Sequence, residues 1–158
     1  MSQFKIEIKW ALIFAAMTLL WMFLEKMTGL HSTHIDKHVY YTNLVAIPAI
    51  IIYVLALLDK RKNHYGGTMT YRQGLMTGLV ITLIIALLSP LTQFLITGVI
   101  TTEYFPNAIA YAVENGLQTQ EEAEAFFNQR NYTVQAVVGA LIMGTLTTLI
   151  VAIFTRKK

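Results

Sequence analysis

The sequence predicts an all-α membrane protein of four transmembrane helices. Three observations carry that expectation. Residues 74–102 form a run of 29 without a charged side chain, and at about 1.5 Å rise per helical residue this exceeds a ~30 Å hydrocarbon core. Three further apolar runs accompany it, at residues 10–28, 39–58 and 133–155. Charged residues make up only 13% of the 158 residues, against about a quarter in ordinary globular domains, and mean hydropathy is +0.52.

Lys5, Glu7 and Lys9 precede the first run, which opens at Trp10 and carries Trp21, both aromatics of the kind enriched at membrane interfaces. No small-residue cleavage site stands near Thr28 or Gly29, so the run reads as a retained span and not a cleaved leader. Glu25 and Lys26 fall at its far end, one turn before Gly29, a natural helix stop. The connector that follows holds His31, His34, Asp36 and His38 within eight residues. In the second run Tyr40 and Tyr41 mark the entry, Asn43 lies about a turn inside, and Pro48 should kink the helix by removing a backbone donor. Asp59, Lys60, Arg61 and Lys62 end that run abruptly, and Gly66-Gly67 makes a turn before the third span, placed at 74–100.

Residues 103–132 differ in composition. Pro106 suits the first turn of a short helix with Gly116 as its stop, and Thr119 with Glu122 fits a capping box opening a second one. The expected product is an external helical hairpin between spans three and four. The fourth span, 133–155, closes on Arg156, Lys157 and Lys158.

Placing both termini on one side gives that side Lys5, Lys9, Lys60, Arg61, Lys62, Arg72, Arg156, Lys157 and Lys158. The other side then has Lys26, Lys37 and Arg130. This asymmetry puts both termini in the cytoplasm. It also accounts for the net charge of +3 better than a nucleic-acid partner would, because the basic residues flank the spans. With no cysteine, disulfides and thiolate metal sites are excluded.

Two patterns invite a functional reading. Small residues recur at four-residue spacing, as Gly74, Gly78, Thr82 and Ala86 in the third span and Ala136, Ala140, Gly144 and Thr148 in the fourth. Association in lipid depends on close backbone approach, so these stripes predict helix packing, within the chain or against another copy or another membrane protein. The second pattern is polar. A carboxylate at the depth of Glu25 needs a partner, and chain direction brings His31, His38, Asn43, Gln93 and Gln135 toward its level. A structural polar knot is one reading. A site for zinc or another divalent ion on His31, His34, Asp36 and His38 is the alternative, as is a proton-responsive role for the histidines.

Taken together these features resemble a family of four-span bacterial membrane proteins, domain of unknown function 4199. The resemblance rests on Trp21-Met22-Phe23-Leu24-Glu25-Lys26, Gly29-Leu30-His31, Lys37-His38 and Tyr41-Thr42-Asn43. It continues through Ala46-Ile47-Pro48-Ala49, Leu57-Leu58-Asp59-Lys60-Arg61-Lys62, Met69-Thr70-Tyr71 and Thr119-Gln120-Glu121-Glu122-Ala123-Glu124-Ala125. It covers nearly the whole chain and implies a multi-pass protein of the bacterial inner (cytoplasmic) membrane, with no activity, substrate or cofactor to carry over.

No nucleotide loop, GxSxG elbow, HExxH or CxxC occurs, so no catalytic motif supports an enzyme. The expectation is a non-enzymatic protein with the lipid bilayer as its surroundings. It would act by helix association as an accessory or scaffold subunit or a homo-oligomer. A small transporter or ion-responsive protein using Glu25 and the histidine connector is the alternative.

Overall fold

A computed structural model describes residues 4–157. Seven α-helices follow in order: α1 Lys5–Met27, α2 Ile35–Tyr41, α3 Ala46–Asn63, α4 Tyr71–Leu95, α5 Tyr104–Glu114, α6 Gln120–Phe126 and α7 Gln129–Thr155. No strand occurs among the described residues, whose sole ladder-like pairing is the isolated bridge between Met69 and Lys157. Four stretches are long and apolar enough to cross a membrane: Lys5–Met27, Ile35–Asn63, Tyr71–Ile100 and Gln129–Thr155.

These helices outrun the apolar segments. α1 starts at Lys5, so the charged residues before Trp10 are already helical, and α7 begins at Gln129, where the Asn128 side chain accepts from the Asn131 N–H. An Asx residue supplying an acceptor to the first turn is a strong helix start, and hydropathy alone is blind to it. The disturbance at Pro48 also lies earlier than a mid-span kink. A 3₁₀ turn, Thr42–Val45, separates α2 from α3, and Pro48 sits in the first turn of α3. A proline ring crowds the carbonyl four residues before it, here that of Leu44, so the ladder breaks on that side. Thr119 and Glu122 form the reciprocal capping box that opens α6. The Thr119 backbone N–H, then its hydroxyl, hold the exposed Glu122 carboxyl below the usual carboxylate range.

α4 and α7 make the most extensive contact, with α1 packed on α4 and α3 between α1 and α7. The two small-residue stripes face each other here. A Cβ added to Gly78 would lie 2.3 Å from Thr148 Cγ2, and one added to Gly144 would lie 2.6 Å from Thr82 Oγ1 and 2.7 Å from the Tyr53 hydroxyl. The arrangement is reciprocal: each helix offers a glycine to the other's threonine. Tyr53 and Thr82 share a hydrogen bond at 2.8 Å, which satisfies both hydroxyls inside the bundle. Around them Ala11, Leu57, Ile81, Ile85, Val151 and Ala152 form the core. Leu20, Leu87, Leu91, Ile150 and Phe154 point outward, as the lipid-facing surface of a span requires.

The bundle has two polar ends. At the terminal end α1 and α3 are tied by Lys60 Nζ to Glu7 Oε1 at 2.8 Å, both side chains only 3–4% exposed. Asp59 accepts from Trp10 Nε1 at 2.7 Å and pairs with Lys9, while Arg61 donates to the Thr155 carbonyl at 2.8 Å. The connector end carries the 28–34 connector, α2, α5 and α6.

Candidate functional site at the connector end

The site begins with how α1 stops. Gly29 adopts φ +78°, a left-handed conformation that a side chain disfavours, and an added Cβ would meet Thr33 Oγ1 at 2.5 Å. The Leu30 N–H returns to the Glu25 carbonyl at 3.0 Å, closing the helix and reversing the chain. That reversal lays His31 over Glu25, six residues earlier. α2 then brings His38 in from the other side.

Glu25 is 3% exposed and accepts from three side chains. Trp21 Nε1 donates to Oε1 at 2.5 Å. His31 Nε2 lies 3.0 Å and His38 Nε2 3.3 Å from the other oxygen, Oε2. Tyr104, at the start of α5, stacks its ring against both imidazoles at centroid distances of 5.2 and 5.1 Å. Its hydroxyl meets that of Tyr132 at 3.2 Å, and burial pushes the Tyr104 phenol well above its ordinary pKa. Asn107, one turn further along α5, donates to the His31 carbonyl at 2.9 Å. Two residues of α5, from the second half of the chain, therefore hold the connector in place. His31 Nδ1 is buried without a hydrogen-bond partner among the described residues.

Lys26 turns the other way. Its ammonium donates to the Ile100 carbonyl at 2.6 Å and lies 3.4 Å from Glu103. Ile100 closes a π-helical turn, Ile96–Ile100, in which the Thr101 N–H reaches back to Ile96 at 2.7 Å. Such widened turns are rare and recur at functional sites. Beside this one lies a cavity of about 200 Å³, lined by Thr18, Met22, His31, His38, Thr42, Gln93, Ile96, Thr97, Thr101, Tyr104 and Tyr132.

The other sequence-selected residues are placed elsewhere, apart from Gln93, which is buried and lines the cavity. His34, the residue before α2, and Asp36, in its first turn, are exposed. Asn43 is exposed and donates to the Val39 carbonyl at 2.6 Å, closing its own turn. Gln135 is exposed on α7. Sequence reasoning missed Trp21 and Tyr104 as partners of the cluster. Trp21 stands four residues before Glu25, one helical turn, and that spacing was the available signal. Tyr104 had none, since its placement depends on how α5 folds back.

A bundle of four apolar helices with its charges gathered at the two ends defines the class: a multi-pass α-helical membrane protein. Within that class the chain belongs to the family described as "Protein of unknown function (DUF4199)", whose profile matches residues 9–157. No curated protein and no solved structure matches the chain.

Proposed function

We propose that this is a non-enzymatic accessory protein of the bacterial inner membrane, with both termini cytoplasmic, whose working part is a ligand-binding site at its outer end. α5 forms the external cap of that site, with α6 packed on it. The observation that carries this reading is the cavity beside a buried carboxylate and two imidazoles, roofed by Tyr104. A polar knot needed only for stability would close on itself, whereas here one wall of the cluster opens onto space. The orientation rests on the basic residues flanking the terminal end. The glycine–threonine faces of α4 and α7 meet within one chain, so they support a self-sufficient bundle and lend no weight to a homo-oligomer. Association with another membrane protein falls to the lipid-facing surfaces.

The absence of native cysteine makes the test direct. Single cysteines at Asn63, Asn115 and Thr42 are exposed to a membrane-impermeant maleimide in intact spheroplasts. Labelling is expected at 115 and at the cavity-lining 42, and not at 63. Labelling at 63 reverses the orientation. An unreactive 42 beside a reactive 115 means that the cavity does not open outward, which removes the ligand site.

A further inference from the structure

We infer that the ligand is a divalent transition-metal cation of the zinc class, held by Glu25, His31 and His38 with a fourth position open to the cavity. This rests on the outward-facing site proposed above. The geometry points to it in three ways. First, one ligand atom from each of the three residues lies within 4.8 Å of the others. About a tetrahedral zinc with ~2.0–2.1 Å bonds, ligand atoms stand roughly 3.3 Å apart. The Glu25–His31 and Glu25–His38 separations of 3.0 and 3.3 Å are already at that spacing. The third edge, between the two imidazoles, is within 4.8 Å.

Second, the donors are directed. Both imidazoles present Nε2 to the same carboxylate oxygen, Oε2, while Oε1 is occupied by the Trp21 indole. A lone ion pair needs one imidazole; the second at the same oxygen completes a three-donor set. Two nitrogens and an oxygen suit zinc or a neighbouring divalent ion, and poorly suit magnesium or calcium, which take oxygen shells. A hydrogen bond that fixes a ligating carboxylate is the role Trp21 is placed to fill.

Third, the set is incomplete by one. Three protein ligands are the pattern of sites that keep an exchangeable position, and both imidazoles line the cavity, which offers room for a fourth ligand. His34 and Asp36, the connector's other ligand types, are exposed and belong to no such set.

The test uses the full chain, purified metal-free in detergent and titrated with cobalt(II) as a spectroscopic stand-in for zinc. Visible bands of a low-coordinate nitrogen–oxygen site are expected, saturating near one ion per chain and bleached by added zinc. His31→Ala and His38→Ala should abolish them. His34→Ala combined with Asp36→Ala should leave them intact. Trp21→Phe should weaken binding roughly 10- to 100-fold, the usual effect of losing a ligand's supporting hydrogen bond. If His31→Ala does not fold, His38→Gln at the half-buried position decides. No saturable band in the native chain, or a band surviving His38→Gln, overturns the metal site. With Thr42→Cys still labelled from outside, that result leaves the outer ligand site standing for another solute. An unreactive Thr42→Cys removes both.

Discussion

Glu25 is compensated on both oxygens: an indole on one, two imidazoles on the other. A carboxylate this deep is tolerated only with such partners. Its replacement by glutamine keeps the shape but puts an NH₂ donor where an acceptor was needed, so one of the three donors is left facing another. A buried group deprived of its partner costs about 1–3 kcal/mol. Glu25→Gln should therefore lower the thermal midpoint of the metal-free protein in detergent, measured by tryptophan fluorescence or circular dichroism, while Glu114→Gln, at an exposed position of α5, should not. An unchanged midpoint for Glu25→Gln would show the carboxylate to be solvated. Part of this was legible beforehand. A charged residue one turn before Gly29, at the end of an apolar run, announces a need for partners, and histidines a few residues on are the nearest candidates. Which histidines was not legible, because the Gly29 reversal and the start of α2 decide whether 31, 34 or 38 faces inward.

Among the elements, α4 and α7 depend most on what is absent. Their approach is set by two missing side chains, Gly78 against Thr148 and Gly144 against Thr82. Gly78→Ala places a methyl inside the van der Waals radius of Thr148, and the helices must separate or the threonine must turn. Overpacking of this kind costs roughly 1–3 kcal/mol. Gly139→Ala, on the same helix as Gly144 but with open space around it, should be near neutral or slightly stabilising. Thermal unfolding of the two variants checks this, with Gly78→Ala/Thr148→Ala expected to recover part of the loss. Equal midpoints for Gly78→Ala and Gly139→Ala would mean that the four-residue spacing is not the contact. Four-residue spacing was visible in the sequence; which helix each stripe meets was not, since nothing local distinguishes an intrachain neighbour from another copy. The π turn at Ile96–Ile100 was equally invisible. Its apolar residues read as uninterrupted span, and hydropathy carries no trace of hydrogen-bond register.

For the molecule as a whole, hydropathy located the spans and charge counting suggested their direction, because the bilayer imposes both on composition. The polar ends resisted reading for a physical reason. Glu7 and Lys60 look like flanking charges of two different spans, and only antiparallel packing of α1 on α3 turns them into a buried pair. Local sequence records which residues are polar; their pairing is a property of the assembled bundle. The same holds for Tyr104 and Asn107, which reach the connector from the far side of α4.

That pair at the terminal end bears on synthesis. Glu7 leaves the ribosome some fifty residues before Lys60, so the carboxylate of the first helix lacks that partner until the third has emerged. The expected consequence is a first hairpin committed as a unit, not helix by helix. Chains arrested before residue 60 should leave α1 loosely held and extractable by alkaline carbonate, and chains arrested after the full α3 has cleared the ribosomal tunnel should resist extraction. Glu7→Gln, by discharging the first helix, should narrow the gap between the two lengths.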